Sequence, residues 1–441
     1  MDIEQLERQM LGDLAVSPEL WDNLTYLCDV CNGRFSGTED ERRAGNFAIS
    51  RFKAYGLQNV AAEPFEMSGW ERGEALLTIP VQGCEINLAC IALPGSYGCD
   101  LEADIIDVGP GAAADFKRLE GQVAGKIVLT SSDGPGRSEK YRSALQAGAA
   151  GFIFASTRPG QLALTGSVHG DLPAVGMAYE PAARIRRALK AGPVKAHLSI
   201  DACVKTVTAR NIIAEIPGTA PEAGWILAGG HYDGHDVAQG AQDNGAGAAV
   251  LMEAARLIAP LRSHLKAGIR FALFSGEELG LYGSHAYAKT HAAELDQVRT
   301  VFNADVVGQA MPLVLQTQAS PELAAYFRTL PLETLDAVVD DGAKSFIPNS
   351  DHFPFSLAGL TSVMAVTSLP PTDGHYVHTA GDTLDKLDPR VLRQTAATVA
   401  RLLLRMAMEP DGLPHKRRTP EEIEALLKAS GLENEIENII K

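Results

Sequence analysis

Residues 229–247 read GGHYDGHDVAQGAQDNGAG, two His and four Asp or Asn set among glycines. So polar a run cannot form the core of a helix or strand. It is either a surface loop or a cradle for a cation. Three further groups belong with it by residue type: Glu277-Glu278 in SGEELGLYGS, Asp305 in NADVVG and His378 in HTAGDTLDKLD. Each has an ordinary explanation when taken alone. Asp243-Asn244 can cap a following helix. Glu277-Glu278 can place negative charge at a helix start. His378 can be a plain loop residue. Asp305 is harder to dismiss, because a carboxylate ending an apolar strand needs a partner. Together, two imidazoles and three or four carboxylates suit a pair of zinc-like ions. In that arrangement Asp243 gives one oxygen to each ion, His231 and Asp305 complete one shell, and Glu278 and His378 complete the other. Glu277, facing away from its neighbour as successive residues of extended backbone do, is directed at a shared water. Asp233, two residues past His231, holds the imidazole in one tautomer.

Residues so far apart in the chain need a scaffold that brings them to one edge. The second half alternates strand patterns at 225–229, 269–274, 300–304 and 362–366 with helical patterns at 248–258, 279–289, 320–330 and 389–406. Such alternation predicts an α/β fold with a mostly parallel central sheet covered on both faces. Ligands of these sheets gather beyond the carboxyl ends of the strands. His231 and Asp233 follow the first strand, Glu277 and Glu278 the second, and Asp305 the third. The loop after the fourth carries Asp373, His375, His378 and Asp382. Upstream, Leu6, Met10, Leu11 and Leu14 recur at helical spacing. Residues 36–38 can cap a helix that buries Ala44, Phe47, Ala48 and Phe52 and stops at Gly56. Residues 95–202 change texture. Short buried-strand runs (ADIIDVGPG, GKIVLTSSDG, AGAAGFIFAS, LPAVGMAY) surround a helical stretch at 140–147. They read as a mixed insert in a discontinuous host domain of 1–94 and 203–415. Residues 416–441 form a helical extension of two amphipathic stretches, packed either on the body or on a second subunit as a homodimer.

The 441 residues carry 55 acidic and 39 basic side chains, a net charge of −16. That balance disfavours nucleic acid and anionic membranes as partners. No apolar window reaches the length of a membrane span, and the N-terminus lacks the basic-then-apolar pattern of a secretory signal. These signs fit a cytoplasmic protein, although a trimmed signal would leave the same trace. Six Cys are too few for a disulfide scaffold of this length. The single Cys28-x-x-Cys31 pair reads as helix packing rather than zinc or redox chemistry.

The motifs GGHYD…QDNGAG, SGEELGLYGS, NADVVG and HTAGDTLDKLD resemble the successive signatures of the M28 family of zinc exopeptidases, the aminopeptidase Y-like group. The interval from His231 to Asp243 is most similar to its carboxypeptidase Q-like branch. GRFSGTEDERRAGNFAI resembles the family's N-terminal helix, and 95–202 resembles a protease-associated (PA) domain. The resemblance implies a phosphorylase/hydrolase-like zinc exopeptidase sandwich carrying an inserted mixed α/β PA-like domain. It implies two Zn2+ per chain, with cobalt or manganese as substitutes. His231 and Asp305 match the ligands of one ion, Glu278 and His378 those of the other, and Asp243 the bridge. Glu277 matches the general base, and Asp233 the acid that orients the first His. Many members have a second Asp where this chain has Asn244, a position that is not a ligand in the family pattern. NSDHFPF (349–355) resembles a segment near the substrate pocket, without making Asp351 or His352 ligands. The implied activity is hydrolysis of a peptide or dipeptide next to a chain terminus. An aminopeptidase is the first reading and a carboxypeptidase Q-like dipeptidase or carboxypeptidase the alternative. A glutaminyl cyclase-like acyltransferase, which uses one zinc, is disfavoured because both ligand sets are present. A catalytically dead receptor relative is disfavoured because ligands and base are all in place.

Overall fold

The structure, a computed structural model, describes residues 2–340, 345–367 and 376–433. Asp373, His375 and most of the last amphipathic stretch lie outside those residues. The chain divides into two compact units. The first takes Met1–Met67, Thr208–Gly374 and Asp382–Lys441, and the second Ser68–Val207 with His375–Gly381. Two divisions between the residue sets fall within the long strands Gln58–Val81 and Lys195–Ile216.

In the first unit the strands lie in the order Ala337–Asp340, Leu313–Gln316, Ser362–Thr367, Val298–Ala304, Trp225–His231, Gly268–Phe274, and then the end of Lys195–Ile216. The four central strands pair in parallel. Antiparallel partners flank them, Lys195–Ile216 on one side and Leu313–Gln316 on the other. The central strands are buried along nearly their whole length, as strands covered on both faces are. Trp225–His231 is buried at every residue after Trp225. Helix Ala246–Ile258 is buried almost all round. It enters the sheet so closely that a Cβ on Gly247 would lie 2.6 Å from the Ala304 carbonyl oxygen. Only glycine permits that approach. Helix Pro389–Met408 starts on Pro389 with the Asp388 carboxylate accepting from the Arg390 amide. It buries Leu392, Ala396, Val399, Leu403 and Met406, the spacing of one helical face. The N-terminal helix Ile3–Val16 and helix Glu39–Ala54, capped by Thr38, add Leu6, Met10, Leu14, Ala44, Ala48 and Phe52 to the same core. Cys28 and Cys31 are free thiols buried in it.

One expected helix begins later than its pattern implied. Residues 279–289 read as helical, but the helix is Tyr282–Thr290. Leu281 has φ 59°, so Glu277–Leu281 is a turn instead of a helix start. His285 and His291 are half-buried, and His291 stacks on Tyr287.

The second unit holds a smaller sheet in the order Cys99–Gly109, Ile127–Ser131, Gly151–Ala155, Ala174–Met177 and Ile91–Ala92. The first four pair in parallel, and the last is antiparallel. Val108, Val128, Tyr141, Phe152 and Ala174 form its own core. Lys140 is fully buried there, its Nζ donating to the carbonyls of Ser131 (2.6 Å) and Asp133 (2.5 Å). Among the described residues no helix is long and apolar enough to cross a membrane.

Candidate metal centre

Parallel pairing sets the site. His231 lies opposite Phe274, and Gly229 opposite Asn303. The residues just past those three strand ends, Asp233, Glu277 and Asp305, therefore leave the sheet at one edge. His231 is 1 % exposed. Its Nε2 lies 3.2 Å from Asp243 Oδ1 and 3.2 Å from Asp305 Oδ1. Its Nδ1 lies 3.1 Å from the carbonyl oxygen of Asp233. A carbonyl can only accept, so Nδ1 carries a proton and a neutral ring turns its Nε2 lone pair toward two carboxylate oxygens. That arrangement is repulsive unless a cation lies between them. Burial disfavours the imidazolium, but the charges of Glu277 and Asp305, with Asp233 and Asp243, outweigh it and hold the ring well above its usual pKa. A divalent ion meets the same demand, and one imidazole with several carboxylates is a good donor set for zinc. The residues present thus fit the metal that the family likeness implies.

The Asp233 main-chain carbonyl makes the short contact, whereas its carboxylate Oδ1 stands 3.6 Å from Nδ1. That carboxylate accepts from Ser36 Oγ at 2.8 Å and, more loosely, from the Glu277 amide at 3.4 Å. It therefore ties the N-terminal segment and the Glu277 turn to the His231 loop.

Glu277 and Glu278 diverge, but for a different reason than alternation in an extended strand. In the turn Glu277 joins His231 and Asp305, with one ligand-type atom from each within 4.8 Å of the others. Glu278 turns to His235, its Oε2 2.8 Å from His235 Nε2. Burial, then the charges of Glu278, Asp305 and Asp351, push the Glu277 carboxyl well above the usual carboxylate range, against the pull of His231. Asp351 is fully buried, and burial lifts it to about 7.

Asp243 and Asn244 precede the helix in non-helical conformations, with a cis peptide bond between them. Asn244 takes the capping role, its Oδ1 accepting from the Gly247 amide at 3.2 Å. Its Nδ2 donates to the Ala304 carbonyl at 2.9 Å. The Asp243 carboxylate is left to the centre. Beneath it, Asp382 accepts from the amides of Gln242 (2.7 Å) and Asp243 (3.0 Å). Burial pushes Asp382 up to about 7, with the Asp243 charge adding and Arg34 opposing. Arg34, also fully buried, donates to the carbonyls of Leu27, Asn32, Tyr232, Gln239 and Gly240. His378 lies in His375–Gly381, a segment of the second unit, where its carbonyl accepts from the Thr165 amide at 2.8 Å.

Three residues of this site carry no role in the sequence reading: His235, Arg34 and Asp382. Asp382 could have been suspected from its place four residues past His378. Nothing local in the sequence marks Arg34, whose carbonyl partners lie as far as 206 positions away.

Residues 211–403 match the model of peptidase family M28, and residues 86–185 match that of the PA domain. Carboxypeptidase Q of Xenopus laevis is 27 % identical over 412 residues, covering 87 % of this chain and 86 % of that protein. Aminopeptidase YwaD of Bacillus subtilis (strain 168) is 26 % identical over 396 residues, covering 86 % and 82 %. A solved Peptidase M28 precursor from Shewanella amazonensis SB2B superposes with a TM-score of 0.81 at 26 % identity, covering 95 % of this chain and 99 % of that one. An aminopeptidase from Aneurinibacillus sp. strain AM-1 superposes at 0.67 with 25 % identity, covering 95 % and 100 %.

Proposed function

From the match of residues 211–403 to the model of peptidase family M28 and of residues 86–185 to that of the PA domain, we propose that this metallo-exopeptidase removes residues from the free N-terminus of peptides using two divalent ions, zinc in the first instance. The observation that carries the reading is the buried Nε2 of His231, turned on two carboxylate oxygens at 3.2 Å each. His231 and Asp305 would hold one ion. Glu278 and, on the family pattern, His378 would hold the other, and Asp243 would serve both. When bound, such a pair lowers the pKa of a shared water and polarises the scissile carbonyl. The remaining chemistry belongs to the protein. Glu277 takes the proton of the attacking water on a carboxylate oxygen and returns it to the leaving amine. The Asp233 carbonyl keeps His231 in the metal-binding tautomer. Asp382 and Arg34 fix the backbone on which Asp243 stands.

A second reading has its own support: the relatives named carboxypeptidase Q match over most of their length, which favours a dipeptidase or carboxypeptidase of that branch. A panel of aminoacyl-aminocoumarins, free dipeptides and N-blocked peptides separates the two. The aminopeptidase reading expects the aminocoumarins to be cut and the N-blocked peptides to be spared. Fast cleavage of N-blocked peptides would overturn it, and turnover of dipeptides alone would favour the second reading.

A further inference from the structure

His235 lies in the loop between the first proposed ligand and the bridging one, and neither the motif reading nor the proposed mechanism uses it. It is 4 % exposed. Its Nε2 points at Glu278 Oε2, 2.8 Å away. Two features hold the loop that carries it. Arg34 grips the carbonyls of Tyr232, Gln239 and Gly240, on both sides of His235. Gly33 packs so tightly on the loop that a Cβ there would lie 2.4 Å from the His235 carbonyl oxygen. The Phe35 ring lies near-parallel to the imidazole, their centroids 6.5 Å apart. The imidazole is thus delivered to Glu278 by a braced backbone.

We propose that His235 is an additional nitrogen ligand of the ion that Glu278 holds. The inference rests on the two-metal reading above and extends it. Two donor atoms on one tetrahedral zinc, each bonded at about 2.0–2.1 Å, stand roughly 3.3 Å apart. The His235–Glu278 pair needs to open by only about half an ångström to reach that separation. The two ion positions then differ. One is served by His231, Asp305 and the shared Asp243. The other is served by Glu278, the shared Asp243 and His235, together with the imidazole that the family pattern assigns to His378. A position richer in imidazole favours zinc or cobalt over manganese and binds more tightly than its neighbour. The competing role for His235 is a hydrogen-bond donor that merely orients Glu278, and the two roles respond differently to substitution.

The test uses the full chain, stripped of metal and titrated with Co2+ against a competing chelator, with the visible absorption followed throughout. Wild type should bind two Co2+ in unequal steps. His235→Ala should weaken one step by about tenfold or more, alter the absorption of that ion and leave the other step unchanged. His235→Gln keeps a donor for Glu278 but lacks the imidazole, so it should behave like His235→Ala. Wild-type affinities and spectra in both variants would overturn the proposal. So would full rescue by Gln, which would make His235 a positioning residue. Failure of wild type itself to bind two ions would overturn the two-metal reading beneath it, a distinct result.

Discussion

Arg34 offers the sharpest test of how the centre is held. Its guanidinium reaches five main-chain carbonyls at 2.6–3.0 Å, three of them within the loop that joins His231 to Asp243. Arg34→Lys keeps the charge but offers at most three N–H donors, so at least two of the five carbonyls lose their partner. A hydrogen bond to a charged group is worth about 1.5–3 kcal/mol, which puts the cost at roughly 3–6 kcal/mol. Melting entropy of about 2.1 cal/mol/K per residue, over the roughly 300 residues of the first unit, gives about 0.6 kcal/mol per degree. The melting temperature should therefore fall by about 5–10 °C. Because the loosened segment carries the proposed bridge, bound metal should be lost to a chelator more readily than from wild type. Calorimetry and metal analysis on the same samples measure both effects. A variant that melts within about 1 °C of wild type and holds metal equally well would refute the idea that Arg34 braces the centre.

Glu277→Gln should lower kcat by about two to four orders of magnitude with metal content unchanged. Steady-state kinetics beside metal analysis checks this, and full activity would remove Glu277 from the mechanism. His352 is fully buried, and burial lowers its pKa from 6.5 to about 4. The native ring therefore stays neutral while the unfolded chain takes up a proton below about pH 6.5, so stability is complete above that value and declines toward pH 4. Between pH 7 and pH 5 the loss from this residue should be about 2 kcal/mol. The drop measured by urea unfolding should shrink by that amount in His352→Gln. An equal drop in wild type and variant would contradict the assignment.

The sheet and the convergence of its strand ends were legible because both follow from local pattern. Four apolar runs with helices between them predict parallel order, and parallel order sends His231, Glu277 and Asp305 to one edge. What the pattern missed depends on tertiary contact. Glu277 and Glu278 diverge through a turn fixed by Leu281 in a left-handed conformation, which helical spacing in ELGLYGS concealed. The main-chain carbonyl of Asp233 stands nearer to His231 Nδ1 than its carboxylate does, and a sequence shows only the carboxylate. Helix capping fell to Asn244 and left Asp243 for the centre, a division that Asp-Asn in sequence does not reveal. Arg34 and Asp382 act on backbone atoms far along the chain, where residue type carries little signal. His235 stood in view within HYDGHD, yet only the fold shows that it meets Glu278.

Anomalous diffraction at the zinc edge, from crystals grown with zinc, tests the account most directly. Two peaks are expected about 3.5–4 Å apart. Asp243 should place an oxygen within about 2.2 Å of each, with His231 and Asp305 on one ion and Glu278 on the other. A single peak, or a pair that Asp243 does not join, would contradict it.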